Sequence, residues 1–211
     1  MNENETAAPV RAFDRAYING QFVTPHGTQV VDLVNPTNNT VIGKVTMADE
    51  IDTRQAIAAA KEAFNTFSQS GKEYRMDCLQ RLHDAVAKRM DQLVDATVLE
   101  YGAPQDRAKG SNNLAANIFL HFKEVLKDFD LARTVGTSRV VMEPAGVVGI
   151  FTPWNSSAGS IAIKVAPGNR CRMQCCHQAQ RDERDANGSV DGRFSRSRFS
   201  SWRYQFRDRP R

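Results

Sequence analysis

Near the two-thirds point of the chain, Gly146-Val147-Val148-Gly149-Ile150-Phe151 runs without a polar side chain. The run is short and lacks the polar–apolar alternation of a strand with one wet face. It reads as a strand buried on both faces in a parallel sheet, which places the chain in the α/β class. In open α/β sheets, ligands sit beyond the carboxyl ends of such strands. Here that end is Thr152-Pro153-Trp154-Asn155, so these are the positions where chemistry is expected.

The residues upstream supply scaffold. Ala16-Tyr17-Ile18 and Gln21-Phe22-Val23 flank Asn19-Gly20, the pair best suited to the positive φ angles of a type I′ hairpin turn. Val30 to Val34 and Val41 to Val45 form a second pair, joined through Asn35-Pro36-Thr37-Asn38-Asn39. Asp49 can cap a helix from about Ile51 to Phe67 that buries Ile51, Ile57, Phe64 and Phe67. Met76, Leu79, Leu82, Val86, Met90 and Leu93 recur at spacings of three and four, the stripe of a helix bent near Asp91. It stops at Gly102-Ala103-Pro104. Leu114, Ile118, Phe122, Leu126 and Phe129 mark another helix, and Thr137 to Glu143 an extended arm. His83 and His121 each stand alone in a helix, which suits ordinary histidines better than ligands. Cys78 reads as a buried free thiol.

Composition breaks at Gly168. Residues 168–211 hold 11 arginines against 5 acidic residues, a net of +6, and contain no Leu, Ile, Lys or Thr. Residues 1–167 hold 17 basic and 19 acidic residues, a net of −2, so the overall charge of +4 belongs to the tail. Such a change marks a segment of different origin or different job. Cys171, Cys175, Cys176 and His177 lack the paired spacings of zinc motifs, so no metal site is expected. No apolar run reaches the roughly 20 residues that span a bilayer, and Met1 to Val10 is polar and acidic, unlike a secretory signal. The expected compartment is the cytoplasm.

Glu143 to Asn155 resembles the aldehyde dehydrogenase superfamily, as does Ile161-Ala162-Ile163-Lys164-Val165-Ala166-Pro167. The likeness extends back through Ala56 to Phe64, Val41-Ile42-Gly43, Val34-Asn35-Pro36 and Tyr17-Ile18-Asn19-Gly20. It thus covers about residue 16 to Pro167, and Pro-Trp-Asn is its most specific motif. The resemblance implies a Rossmann-like domain that binds NAD or NADP. It also implies a reaction in which a cysteine attacks an aldehyde, hydride passes to the nicotinamide and a glutamate activates water. Asn155 matches the asparagine whose amide holds the oxyanion, a neutral donor aimed at charge that develops in the transition state. Phe151, Thr152, Pro153 and Trp154 match positions lining the cofactor cleft, and Lys164 a lysine near the catalytic centre. Such proteins are homo-oligomers built through an extended arm, here Thr134 to Glu143.

Two departures stand out. Ser156 and Ser157 replace the aromatic residue and proline usual after the asparagine, and no Lys-Pro-Ser-Glu for the adenosine ribose follows Pro167. The genetic code accounts for the second. Read one base later, Gln174 to His177 can be encoded as Asn-Val-Val-Ile, and Gln178 to Arg181 as Lys-Pro-Ser-Glu. One extra base just after the Pro167 codon then explains the whole tail, including its cysteines. The expected organisation is a disordered N-terminus (1–15), an incomplete aldehyde dehydrogenase N-terminal region (16–167) and a frameshifted, disordered basic tail (168–211). With neither the catalytic cysteine nor the glutamate in family context, this chain is expected to be inactive. The rival reading takes the tail literally: Arg193-Phe194, Arg198-Phe199 and Trp202-Arg203-Tyr204 interleave arginine and aromatics as nucleic-acid-binding segments do. On the frameshift reading, the tail's charge gives at most weak, non-specific polyanion binding.

Overall fold

The computed structural model of the chain describes residues 10–153, 157–170 and 174–179. It opens with β1 (Arg11–Phe13), β2 (Ala16–Ile18), β3 (Gln21–Val23), β4 (Val30–Val34) and β5 (Val41–Thr46). β2 and β3 pair antiparallel, with Ile18 opposite Gln21, so Asn19-Gly20 alone make the turn. Their φ angles of 51° and 75° are the positive values a type I′ turn requires. β4 and β5 form the second antiparallel pair, and β1 adds to β5 in parallel.

That third strand corrects the expectation of an unstructured stretch up to residue 15. The free edge of β5 offers backbone groups to any neighbouring chain. Gly43, opposite Arg11, has no side chain, and a Cβ there would meet the Phe13 ring at 2.7 Å. Residues 1–9 of that stretch lie outside the described residues.

Four helices follow: α1 (Glu50–Phe67), α2 (Lys72–Ala87), α3 (Met90–Tyr101) and α4 (Gln105–Lys127). Asp49 caps α1 in a reciprocal box with Asp52. The expected burial on α1 is not found at Ile51 and Ile57, which are exposed, while Phe64 and Phe67 are half-buried. Its buried residues are Asp52 and Ala60. The expected bend near Asp91 is instead a break between α2 and α3 at Lys88 and Arg89. α3 ends on Gly102 in the left-handed region (φ 63°). A Cβ on Gly102 would stand 3.0 Å from Thr37 Oγ1, so the stop also lets the 35–39 turn approach.

The core lies between α2, α3, α4 and a later helix, α5 (Ser157–Arg170). Leu79, Leu82, Val86 and Leu93 are buried there as the stripe predicts, joined by Phe119 and Leu126. Leu114 is not: it is 60% exposed, and the buried face of α4 runs through Ala108, Asn112, Ala115, Ala116 and Phe119. Alanines on both sides, with Ala158, Ala162 and Ala166 from α5, form much of this contact. Asn112 ties α4 to α3 from inside, its Nδ2 donating to Thr97 Oγ1 at 3.0 Å and to Ala108 O at 2.9 Å.

β6 (Ala132–Val135) and β7 (Ser138–Val141) turn the expected arm into a hairpin around Gly136-Thr137. Gly136, at φ 61°, supplies the positive angle for the first turn position. β8 (Val147–Thr152) then passes through α5 to β9 (Gln174–Ala179), and the two strands pair in parallel, Val147 opposite Gln174 and Thr152 opposite Ala179. Disorder from Gly168 onward is thus not what residues 168–170 and 174–179 adopt. A parallel ladder is made by backbone groups, which almost any sequence supplies, and β8 presents a full strand length to pair with. The rest of the tail lies outside the described residues.

Candidate functional site

The parallel pair β8–β9, with α5 as its crossover, is the only α/β unit among the described residues. α1 and α5 both lie against it. Along β8 the side chains alternate, with Ile150 and Thr152 buried and Gly149 and Phe151 exposed. Burial on both faces is therefore not achieved here. Phe151 is 62% exposed, and β9 is the one strand neighbour of β8 among the described residues.

Phe151 and Thr152 end β8, Thr152 fully buried, and Pro153 sits exposed one residue beyond. Trp154 and Asn155 lie outside the described residues, in the link from β8 to α5. Lys164 lies in the third turn of α5, and its Nζ donates a hydrogen bond to the backbone carbonyl of Phe151. The lysine thus reaches back from the crossover helix to the carboxyl end of the strand. Its head is exposed, as is Ile163 beside it. Sequence alone gave no reason to connect Lys164 with Phe151, 13 residues earlier.

The strand end also allows a test of fit for a flat, partly apolar ligand such as a nicotinamide dinucleotide. Gly149 carries no Cβ, and among the described residues a Cβ there would meet only the Phe151 ring, at 3.8 Å. Among the described residues, this face of β8 is therefore uncrowded at Gly149 and carries the exposed Phe151 ring at its carboxyl end. Phe151 and Pro153 are exposed at this end, whereas Thr152 is buried. Among the described residues, no group of three or more His, Cys, Asp or Glu is placed to hold a metal ion. Nor is any described helix long and apolar enough to cross a membrane.

One titratable group was missed in the sequence. Glu100, near the end of α3, is buried, and desolvation pushes its pKa up to about 7 despite the opposing charge of Arg11. A carboxyl group in the last turn of a helix gives no sequence signal of burial. Cys78, by contrast, is the buried free thiol that was expected, and burial raises its pKa further.

A parallel strand pair with a helical crossover, and a lysine fastened to the end of its first strand, places the chain in the α/β class. Comparison with known proteins narrows it. The pattern of the aldehyde dehydrogenase family matches residues 22–172. Over 160 residues the chain is 34% identical to the 3-succinoylsemialdehyde-pyridine dehydrogenase of a Pseudomonas species, covering 75% of this chain and 34% of that protein. Among solved structures, Aldehyde Dehydrogenase C of Pseudomonas syringae, a variant complexed with NAD+ and octanal, superposes with a TM-score of 0.75 at 28% identity. That match covers 78% of this chain and 34% of the other. Betaine aldehyde dehydrogenase of Staphylococcus aureus, in complex with NAD+, gives 0.74 at 26% identity, over 79% and 35%. The chain belongs to the aldehyde dehydrogenase family, and it spans about a third of the length of the relatives it matches.

Proposed function

We propose that residues 16–167 form the front of the cofactor cleft of an NAD(P)-dependent aldehyde dehydrogenase that oxidises an aldehyde to a carboxylic acid. The observation that carries this reading is the end of β8, where an exposed Phe151 meets the Lys164 ammonium and leads within two residues into Trp154-Asn155. Phe151, Thr152, Pro153 and Trp154 hold one edge of the dinucleotide through backbone and apolar contacts. The nicotinamide, when bound, supplies the hydride acceptor. Asn155 donates its side-chain N–H to the oxygen that becomes negative when the aldehyde is attacked. Lys164 sets the strand end and places a positive charge near the reacting centre. The attacking thiol and the base come from the two thirds of the relatives' length that this chain does not span. The exposed β6–β7 hairpin is the arm that joins copies into a homo-oligomer, and the free Cys78 suits the cytoplasm.

Residues 168–211 belong to the same reading as a product of one extra base after the Pro167 codon. The register of β9 supports this. In the later frame the residues opposite Val148, Gly149 and Ile150 become Val-Val-Ile, an apolar strand beside an apolar strand, where the chain has Cys175, Cys176 and His177. The same register sets the Lys-Pro of that frame opposite Phe151 and Thr152, at the end where the ligand is expected. By itself the 211-residue chain is expected to produce no aldehyde-dependent reduction of NAD+ or NADP+. The decisive experiment removes one base after the Pro167 codon, supplies the downstream gene and compares the resulting protein with its Asn155→Ala variant. Loss of one such oxyanion donor should lower kcat by about 10²–10³ with little change in KM. An unchanged kcat would remove Asn155 from the mechanism.

A further inference from the structure

Away from β8, the loop between β3 and β4 meets the head of α1 through an arrangement that the proposed reaction does not use. Asp52, buried in the first turn of α1, accepts three backbone N–H groups: His26 at 2.9 Å on Oδ1, and Gly27 at 3.1 Å and Asp49 at 3.0 Å on Oδ2. Asp49 caps the helix with Oδ1, which accepts from Ile51 and Asp52. Its other oxygen, Oδ2, lies 2.6 Å from His26 Nδ1. Gly27 is pressed onto the opposite chain segment so closely that a Cβ would fall 2.1 Å from Met47 O. Two carboxylates therefore grip one loop, and one of them is bridged by an exposed imidazole.

We propose that His26, Asp49 and Asp52 form a proton-operated latch that fastens the β3–β4 loop to the head of α1. Protonated His26 donates to Asp49 and offsets two negative charges that stand within one helical turn. Neutral His26 loses the charge while the carboxylates remain, so the grip loosens. Because α1 lies against β8 and β9, the latch acts on the helix that backs the cofactor edge.

The charged groups acting on His26 are Asp49 and Asp52. The hydrogen bond to Asp49 and then its charge raise the His26 pKa above the ordinary 6.5, and the same bond holds Asp49 below its ordinary 3.8. A raised imidazole contributes fully below 6.5 and its contribution is lost as pH climbs through the raised value. A lowered carboxylate contributes above 3.8 and its contribution is lost as pH falls through the lowered one. The latch is thus closed from acidic pH to above 6.5 and opens on the alkaline side.

The test is an NMR titration of the His26 ring in the 211-residue chain, with amide protection factors measured at Gly27 and Ile51. The midpoint should lie above 6.5 in the native chain and fall towards it in Asp49→Asn, which keeps a side-chain oxygen for the helix cap. Protection at Gly27 should drop several-fold as pH rises from 6 through the measured His26 midpoint in the native chain and stay level in His26→Gln. A midpoint at or below 6.5 that ignores Asp49→Asn would overturn the latch. So would a pH-dependent loss of protection that persists in His26→Gln.

Discussion

At the scale of single residues, the most consequential group outside the candidate site is Glu100. In the unfolded chain its carboxyl ionises near the ordinary 4.5, whereas in the folded chain burial holds the proton to about 7. The folded form binds more protons between those values, so stability falls as pH rises from 4.5 to 7 and then levels off. Glu100→Gln removes the titration. The variant should match the native chain near pH 4.5 and exceed it by about 1–3 kcal/mol at pH 8, seen as a higher urea midpoint. An identical difference at both pH values would mean that Glu100 is not desolvated as described. Asp52 behaves oppositely. Burial disfavours its charge, but the N–H groups of His26, Asp49 and Gly27 outweigh that and hold its pKa below the ordinary range.

At the scale of elements, the small residues shared by α4 and α5 decide where Lys164 can stand. Ala162 is fully buried two residues before it, within the alanine-lined contact between the helices. Ala162→Leu inserts three carbons where there is no space, at a cost of about 1–3 kcal/mol. It should also shift α5 enough to loosen the Lys164 bond to Phe151. A lowered melting temperature together with faster amide exchange along β8 is the expected outcome. Retention of both would show that the contact has slack.

This contact also explains what could and could not be read from the sequence. Asn19-Gly20, the Asp49 cap and the Gly102 stop were legible because each depends on one or two residues and their own φ angles. The α4 face was not. A stripe of large side chains pointed to Leu114, yet helices approach most closely through alanine, which carries no directional signal. The pairing of β1 with β5 was hidden for a similar reason, since Gly43 makes the space without advertising a partner. For the site, the apolar run located the strand and its carboxyl end. The bond from Lys164 to Phe151 depends on how α5 folds back, which no local pattern encodes.

At the scale of the whole molecule, small sheets precede a helical core to which α5 contributes, and β8 pairs in parallel with β9 and exposes Gly149 and Phe151. The proposed continuation runs through β9, beside β8: a later reading frame that writes an apolar strand in the β9 register and Lys-Pro-Ser-Glu at its end. Isothermal titration of NAD+ tests this directly, made into the frame-corrected full-length protein beside the 211-residue chain at physiological salt. Saturable binding of one dinucleotide per subunit by the corrected protein, and none by the 211-residue chain, is the predicted result. Absence of binding to a folded corrected protein would contradict the account.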